Sequence, residues 1–384
     1  MRKVRGVSHW AGRSDPKGSG PSAGGFGPQA GPAEGSLTQP TPTAGRDERI
    51  SLKHGAGGRA MRGLIETVLA QGFTDMSVDG FGLSAMDDGA ALRLGDRWLV
   101  VTTDSHVIHP VFFPGGDIGR LAVAGTVNDL AMMGATDVLA LTSAVIIEEG
   151  FSLADPERIQ RSMQATCREA AATVVTGDTK VMGKGELDGI VINTTGIGLT
   201  DRVVRDCGLR PGDRIIVTGT VGDHGLAILA ARHSLELDGE LHSDVAPLNA
   251  LIRAALAASN GAIVAMKDPT RGGLASALHE MAAKSRVGIL VEEAKVPVTA
   301  GVRAAADLLG IDPLHVANEG KAVLGVRPEG AAPLLAALRA HPRGRDAEIV
   351  ATCIGDHVGA VILDTGVGRR MLPEPEGELL PRIC

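Results

Sequence analysis

The chain has 384 residues, and a hydrophobic content of 44% is ample for sizeable cores in two domains. The formal net charge of −7 argues against a nucleic-acid-binding protein, which usually presents a basic face. The sequence has no apolar run near the roughly 18 residues of a membrane span, and its N-terminus lacks the apolar core of a signal peptide. We therefore expect a cytoplasmic protein that binds neither membranes nor nucleic acids.

Residues 1–45 are predicted to be a disordered extension. They contain 10 Gly and 6 Pro and almost no large aliphatic residues, so they have little apolar surface to bury. Order is predicted to begin near Arg49, and the glycine-rich turn His54-Gly-Ala-Gly-Gly58 then opens a helix over 61–70. Such a turn can present backbone N–H groups to an anion. An ordinary tight turn explains the same pattern.

Polar residues then interrupt otherwise apolar elements at three places. A strand is predicted over 98–103 and a helix over 119–134, and the polar residues beside or within these apolar segments are Asp87, Asp88, Asp104, Asn128 and Asp129. Mg²⁺ takes oxygen ligands and usually shares them with substrate phosphates. The pattern therefore predicts a Mg²⁺ site, and the carboxylates that can supply it are Asp87, Asp88, Asp104 and Asp129. For any one cluster, a helix cap or a turn is the alternative.

A strand that begins at Val174 runs into Gly177-Asp178-Thr179-Lys180. This motif combines a turn, a carboxylate, a hydroxyl and an ammonium group, and lysine is a natural point charge for phosphate. An exposed turn without function is the alternative. The remaining elements of this half are strands over 141–147 and 188–198 and a helix over 156–171.

After a linker at 200–212, strands and helices alternate again. The predicted strands are 213–219, 262–266, 321–326, 348–354 and 360–363, and the predicted helices are 226–232, 274–284 and 330–340. Alternation in both halves predicts an α/β or α+β protein with two sheets. Cys167, Cys207 and Cys353 match no zinc-binding spacing, so they are interpreted as structural residues.

The chain ends in a Pro- and Glu-rich segment whose final residue is Cys384. From Met371 onward the sequence shows neither helical nor strand periodicity, so a flexible tail is predicted. Fully extended, such a tail spans roughly 45 Å, enough to carry a thiol into a cleft and out again. A prenyl anchor would place its cysteine four residues from the end. A structural disulfide is the other alternative, but it is not expected in an intracellular chain.

These motifs, in this order, resemble those of the HypE family of NiFe-hydrogenase maturation factors. The resemblance covers about residues 46–384, leaves out the first 45, and is most specific at the terminal cysteine motif. The matching segments are His54 to Gly58, Asp87 to Ala91, Thr102 to His106, Phe112 to Gly119, Gly125 to Gly134, Ile146 to Phe151, Gly177 to Lys180, Gly222 to Gly225, Asp268 to Gly273, Asn318 to Gly320 and Pro381 to Cys384.

The resemblance implies a two-domain α/β (α+β) fold similar to aminoimidazole ribonucleotide synthetase, with each sheet covered by helices. An N-terminal ATP-binding and dimerisation domain would span 46–200, a C-terminal α/β domain 201–370, and a flexible tail 371–384. The sheet of the first domain would form a homodimer, with ATP in the cleft between the domains. The implied partners are a HypF-like carbamoyltransferase and a HypC–HypD-like scaffold complex.

The implied reaction uses ATP and Mg²⁺ to dehydrate a carbamoyl group on Cys384 to a thiocyanate. Lys180 can supply the cation that this reaction needs at the transferring phosphoryl group, and the resemblance assigns proton removal to Glu319, with His106 as the reserve base. The implied nucleotide-binding residues are His54, Gly55, Gly57, Asp87, Asp88, Asp104, Asn128, Asp129, Gly177, Asp178, Thr179 and Lys180. Two other readings remain open: another ATP-dependent small-molecule kinase or synthetase of the same superfamily, and a non-catalytic scaffold that binds ATP without hydrolysing it.

Overall fold

The computed structural model describes residues 49–73, 79–235 and 241–375. Its first half contains the strands β1 (Gly80–Phe81), β2 (Ala90–Leu94), β3 (Arg97–His106), β4 (Phe112–Phe113), β5 (Gly116–Asp117), β6 (Asp137–Glu148), β7 (Val174–Met182) and β8 (Ile190–Thr200). Its helices are α1 (Gly58–Leu64), α2 (Ile118–Met132) and α3 (Ala154–Ala170). Short 3-10 turns lie at Leu52–Gly55 and Leu83–Ala85, and a π-helical turn at Ile65–Leu69 follows α1.

Six of these strands form one mixed sheet in the order β1-β2-β3-β8-β6-β7, and β4 and β5 form a separate hairpin. Strand β8 alternates strictly between buried and half-exposed residues, as expected when one face of a sheet is covered. Helix α2 covers that face and is buried on nearly all sides, because it also packs against the second half of the fold. Gly196 in β8 allows this contact, since a Cβ there would lie 2.7 Å from Thr126.

The second half contains the strands β9 (Arg214–Val217), β10 (Ile263–Lys267), β11 (Gly288–Glu292), β12 (Val323–Val326), β13 (Glu348–Ile354), β14 (Val361–Asp364) and β15 (Arg369–Met371). Its helices are α4 (Asp223–Arg232), α5 (Asn249–Ala258), α6 (Gly273–Ser285), α7 (Ala300–Leu309) and α8 (Pro328–Ala340). Short 3-10 turns lie at Glu293–Lys295, Pro313–His315 and Pro342–Gly344.

These strands form a seven-stranded mixed sheet in the order β10-β12-β9-β13-β11-β14-β15. Helix α6 packs on one face, while α5 and α8 pack on the other. Both cores are aliphatic, as the scarcity of aromatic residues in the sequence requires. Within the described residues, no helix is long and apolar enough to span a membrane.

The predicted α/β (α+β) class with two sheets is confirmed, and every predicted helix and strand is present to within a few residues. Helices α5 and α7 and strands β1, β2, β4, β5, β11 and β15 were not predicted. Cys167 and Cys353 are buried free thiols and Cys207 is a partly buried one, and burial raises the pKa of Cys353 to about 12. The extension predicted at 1–45 lies outside the described residues, as does Cys384.

The prediction that the chain is flexible from Met371 onward is wrong for its first residues. Met371 belongs to β15, and the Leu372 side chain is buried in the core beside α6. The Leu372 backbone N–H donates to the Val361 carbonyl at 2.9 Å. Burial of Leu372 fixes the position of this stretch, although its Pro- and Glu-rich composition predicts a flexible one.

Candidate active site

Four carboxylates from both halves of the chain gather at one place. Asp104 lies in β3, Asp129 in α2, Asp88 just before β2, and Asp268 just after β10. Burial, together with the charges of Asp268, Asp104 and Asp88, raises the pKa of Asp129 well above its usual value. Burial and the nearby Asp88 raise the pKa of Asp268 to about 8. This mutual repulsion is what a bound cation would relieve.

The sheet and helix α2 fix the orientation of two of these acids. Thr102 donates its hydroxyl to Asp129 Oδ2 at 2.8 Å, and His106 Nε2 lies 3.1 Å from Asp104 Oδ2. Although burial opposes the effect, His106 and then Arg271 lower the pKa of Asp104. A Cβ at Gly125 in α2 would lie 2.8 Å from His106 Nε2, so the helix seals the imidazole. His106 is thus placed to orient Asp104 and has no open approach for a substrate.

Glu319 lies on the loop before β12, beside the same acids. It is 4% exposed, and Oε1 has no hydrogen-bond partner among the described residues. Burial, followed by the charges of Asp268 and Asp104, raises the pKa of Glu319 well above its usual value. Asp244 holds the loop, because it accepts hydrogen bonds from the backbone N–H groups of Glu319 at 3.0 Å and Gly320 at 3.2 Å. The structure therefore places a carboxyl with an unsatisfied oxygen at the acidic cluster.

Asn128, predicted to bind nucleotide, connects the two halves of the fold. Its Nδ2 donates to the carbonyls of Ala246 at 3.1 Å and Glu319 at 3.2 Å, and its Oδ1 accepts from the Leu248 N–H at 2.8 Å. Because the buried amide is used by three backbone hydrogen bonds, its evident role is to position the Glu319 loop.

Basic residues pair with the first two predicted metal ligands. The Asp87 side chain is fully buried and lies 2.6 Å from Arg205 Nε and 3.4 Å from Lys284 Nζ. Asp88 Oδ1 lies 2.6 Å from the buried ammonium of Lys267. The two adjacent carboxylates therefore have different surroundings. Asp87 is enclosed by two cations, whereas Asp88 lies at the edge of the carboxylate cluster.

As the side chains stand, no three His, Cys, Asp or Glu residues in the described ranges form a ready-made metal site. Mg²⁺ usually binds through one or two carboxylates together with substrate phosphates, so it does not require such a site. The cluster of repelling, buried carboxylates provides the chemistry that this ion needs. Among the four predicted ligands, Asp88, Asp104 and Asp129 fit a shared Mg²⁺–phosphate site, and Asp268 is an additional candidate.

Within one chain, Lys180 does not lie at the carboxylate cluster. It lies on edge strand β7, where its Nζ is 2.7 Å from Asp178 Oδ2 and both side chains are largely exposed. Strand register places Thr179 opposite Val145, on the face that α3 covers, so Asp178 and Lys180 point to the opposite face. Gly177 allows close strand pairing, since a Cβ there would overlap the Ser143 carbonyl.

The predicted glycine-rich turn contacts the second half of the chain. His54 Nδ1 accepts from the Ser51 N–H at 3.0 Å and so caps its own 3-10 turn. A Cβ at Gly57 would lie 2.9 Å from the Arg271 carbonyl oxygen. Gly55 has open space around it. The turn is therefore packed beside Arg271, and only Gly55 leaves room for an additional group.

Sequence reasoning missed several residues of this site, which are Asp206, Asp244, Lys267, Asp268 and Arg271. Three of them lie in Lys-Asp-Pro-Thr-Arg-Gly-Gly, the motif that precedes α6. The two glycines drew attention to the helix start, whereas the charged residues between an apolar strand and that helix were the stronger signal. Asp206 and Asp244 lie in irregular segments and had no periodic pattern to reveal them.

Asp268→Asn is expected to stabilise the protein in Mg²⁺-free buffer. Because the pKa of Asp268 is raised to about 8 in the fold from its ordinary value of 3.8, its neutral form contributes stability at low pH that is lost as pH rises towards 8. The melting temperature of the variant, relative to the parent, should rise from pH 5 to pH 8, by about 1–2 °C for each 1 kcal/mol. Melting curves at several pH values test this, with the exposed Asp96→Asn as control. A difference in melting temperature between the variant and the parent that does not change with pH would contradict this prediction.

Two protein-family models match the chain. They are the N-terminal domain of AIR synthase related proteins over residues 86–200 and the C-terminal domain of the same proteins over residues 210–364. The carbamoyl dehydratase HypE of Rhizobium leguminosarum bv. viciae is 47% identical over 88% of this chain and 95% of its own length. The corresponding protein of Azotobacter vinelandii is 46% identical over 88% of this chain and 98% of its own.

Solved structures agree with these matches. The structure of a HypE–HypF complex superposes with a TM-score of 0.75 and 44% identity, covering 81% of this chain and 99% of that one. A hydrogenase maturation protein HypE in complex with ATP superposes with a TM-score of 0.72 and 41% identity, covering 87% and 100%. The chain therefore belongs to the HypE family of AIR synthase related proteins.

Proposed function

We propose that this member of the HypE family is an ATP-dependent carbamoyl dehydratase that provides the cyanide ligand during NiFe-hydrogenase maturation. It converts a carbamoyl group on Cys384 to a thiocyanate. The observation that carries the proposal is the position of Glu319, a buried carboxyl with one unsatisfied oxygen beside four further carboxylates. The two relatives described above, which match over 95% and 98% of their own length, are carbamoyl dehydratases.

The reaction must remove one oxygen and two protons from the carbamoyl group. Transfer of the γ-phosphoryl group of ATP to the carbonyl oxygen gives ADP and turns that oxygen into a phosphate leaving group. Loss of two protons from nitrogen and cleavage of the C–O bond then give the S–C≡N group and inorganic phosphate. A general base is needed for the nitrogen protons. Glu319 supplies this base.

ATP is bound at the carboxylate cluster in the proposed complex. A HypE relative has been solved with ATP, and the cluster matches the oxygen ligands that Mg²⁺ shares with phosphates. When bound there, Mg²⁺ would neutralise phosphate charge. Asp88, Asp104, Asp129 and Asp268 are the residues that would hold it, while Asp87 anchors Arg205 and Lys284 behind them.

Asp129→Asn is expected to lower the rate of ATP turnover by about 10–100-fold, because an amide is a poor ligand for Mg²⁺. The substitution keeps the acceptor oxygen that Thr102 requires, so the melting temperature should not fall. Phosphate release at increasing Mg²⁺ concentrations tests the prediction. Asp137→Asn, an exposed substitution, provides the control. A parental rate at saturating Mg²⁺ would remove Asp129 from the site.

A HypF-like carbamoyltransferase loads Cys384, as the solved HypE–HypF complex of a relative suggests. A HypC–HypD-like scaffold complex receives the cyanide. Release of cyanide with return of the free thiol takes up two electrons and one proton, which a reductant on that partner complex supplies. These assignments give the terminal cysteine three successive states: thiol, carbamoyl adduct and thiocyanate.

The uncovered face of the first sheet supports a homodimer. Apolar side chains on this face are only partly buried, and they are Leu92, Leu99, Val101, Ile197 and Leu199. A half-exposed apolar sheet face favours association with a second such face. A twofold dimer would bury the same face on both subunits, and Asp178 and Lys180 would lie beside this interface.

The mass of the C-terminal peptide tests the proposed function directly. After incubation with a HypF-like carbamoyltransferase, carbamoyl phosphate and ATP, we expect a thiocyanate on Cys384. Omission of ATP should leave the carbamoyl adduct. Another small-molecule kinase or synthetase of the superfamily would leave the peptide unmodified, and activity would survive removal of the last four residues. A scaffold would bind ATP without phosphate release.

A further inference from the structure

Residues 372–375, which we call the strap, connect the last strand to the cysteine-bearing end of the chain. The Leu372 side chain is 1% exposed. His279 Nε2 in α6 lies 2.9 Å from the Leu372 carbonyl oxygen, and His315 Nε2 lies 3.1 Å from that of Pro373. Since a carbonyl only accepts, both imidazoles donate to the strap. Side chains from two different elements therefore hold its backbone.

An ion pair fixes the next residue of the strap. Glu374 Oε1 accepts from Arg62 Nη2 of α1 at 2.7 Å, and its Oε2 lies 3.7 Å from Arg59 Nε. The Glu374 side chain is 11% exposed and that of Arg62 is 29% exposed, so this pair is much better shielded than an ordinary surface pair. The contact ties the end of the chain to its first helix, across 312 residues of sequence.

The strap ends beside the candidate active site. Pro375 is buried, and a Cβ on Gly58 would overlap its carbonyl oxygen. A Cβ on Gly272 would lie 3.4 Å from Pro375 Cγ. Gly272 directly follows Arg271, the residue whose charge helps to lower the pKa of Asp104 and partly offsets the raised pKa of Glu319. The last described residue of the chain is therefore packed next to a residue that acts on the cluster.

We propose that the strap is the fixed base of the arm that carries Cys384, and that Glu374 is a positioning residue that holds this base through Arg62. The proposal rests on the proposed function, because it assigns the anchor a part in bringing a carrier cysteine to Glu319. The first helix and the last segment thereby act together: α1 presents Arg62, and the glycines before and within its first turn make room for Pro375 and Arg271.

Chain length explains why a fixed base matters. Cys384 lies nine positions beyond Pro375, whereas it lies thirteen positions beyond Met371, the end of β15. An extended chain of nine residues reaches at most about 30 Å. Release of the strap would lengthen the tether and move its base away from Arg271. Since effective concentration falls at least as the −3/2 power of tether length, we expect a loss of about twofold.

Glu374→Gln in the full-length protein tests the proposal. With the thiol loaded by the carbamoyltransferase, conversion to thiocyanate at saturating ATP should slow by about twofold. The KM for ATP and the rate of loading should not change. Arg62→Glu should behave in the same way, and the exchanged pair Arg62→Glu with Glu374→Arg should recover most of the parental rate. Glu348→Gln is the matched control, because it removes a 2.7 Å ion pair with Arg339 elsewhere.

A second measurement does not depend on the reaction. A fluorescent dye on Cys384, in a Cys207→Ser background, reports local motion by its anisotropy decay. Glu374→Gln should increase the amplitude of fast motion, and the control should not. Unchanged dye motion, or a conversion rate equal to that of Glu348→Gln, would overturn the strap proposal. If the parent forms no thiocyanate but the dye responds as expected, the strap stands and the proposed function fails.

Discussion

Replacement of Glu319 by glutamine is expected to leave Cys384 with a carbamoyl group that is converted to thiocyanate about 10²–10⁴-fold more slowly than in the parent. Loading of the thiol should continue at the parental rate, because the carbamoyltransferase performs that step. The carbamoylated tail should therefore accumulate. Mass spectrometry of the C-terminal peptide over time measures both steps in one experiment.

The surroundings of Glu319 explain why a large effect is expected. Burial and the charges of Asp268 and Asp104 raise its pKa, which makes its carboxylate a stronger base than an exposed one. The unsatisfied Oε1 can accept a proton or hydrogen bond from a substrate nitrogen. Glutamine keeps the size of the side chain and removes the basic oxygen, so the variant should remain folded. The backbone bonds of residues 319 and 320 to Asp244 remain as well.

The pH dependence provides a control for this assignment. Because the pKa of Glu319 is raised, the ionised base becomes more populated as pH increases, so the parental conversion rate should rise with pH. Glu319→Gln should lose that rise, whereas Glu319→Asp should keep it at a lower rate. Conversion by Glu319→Gln at the parental rate would show that Glu319 is not the base. His106 would then be the next candidate, despite its enclosure beneath α2.

The alternation of apolar runs and glycine-rich turns predicted most of the fold correctly. Strand β8 and helix α6 show clear periodicity and clear ends, so they were located within a few residues. Helix α5, with the sequence Asn249-Ala-Leu-Ile-Arg-Ala-Ala-Leu-Ala-Ala, carries an equally good helical pattern but no distinctive motif beside it. The prediction relied on motifs and so omitted α5, although the helical periodicity of this segment is clear.

Residue pairing within the site could not be predicted in the same way. Asp87 and Asp88 are adjacent and chemically identical, yet one is enclosed by Arg205 and Lys284 while the other meets Lys267. Alternation along the chain turns neighbouring side chains in different directions. Which cations they meet depends on segments about 118 to 197 residues away in sequence. Local sequence patterns carry no information about such contacts.

Lys180 shows a second limit of the same kind. The motif predicts a lysine for phosphate, and strand periodicity predicts that Asp178 and Lys180 share one face of β7. Which face is covered by helices is decided only by packing. In the structure, α2 and α3 cover the face that carries Asp104, Thr194 and Thr179. Lys180 therefore lies on the opposite face from the acids with which it was expected to act.

Lys180→Ala is expected to slow formation of the thiocyanate by about 10²–10³-fold, the usual effect of removing one group that stabilises a transferring phosphoryl or oxyanion. Within one chain Lys180 cannot provide this stabilisation. Strands β8 and β6 separate β7 from β3, so about 14 Å of sheet lies between Lys180 and Asp104. In the proposed homodimer, a lysine on the uncovered face can act on the cluster of a second subunit only past an edge of that subunit's sheet, because the cluster lies on the face that α2 covers.

Mixed dimers distinguish action across the interface from action within one chain. A Lys180→Ala chain keeps Glu319, and a Glu319→Gln chain keeps Lys180. In a dimer of the two, action across the interface leaves one site with both residues intact and the other with neither. Random mixing puts half of the dimers in this state, so about a quarter of the parental rate should return although each variant is inactive alone.

The matched control mixes Lys180→Ala with the double variant Lys180→Ala, Glu319→Gln. No dimer in that mixture has both residues at one site, so its rate should stay at the level of the single variants. If the first mixture also stays inactive after subunit exchange has been verified with two affinity tags, Lys180 does not act across the interface. A parental rate for Lys180→Ala alone would remove Lys180 from the reaction. Recovery in the first mixture alone would establish both the dimer and the action of Lys180 on the site of the second subunit.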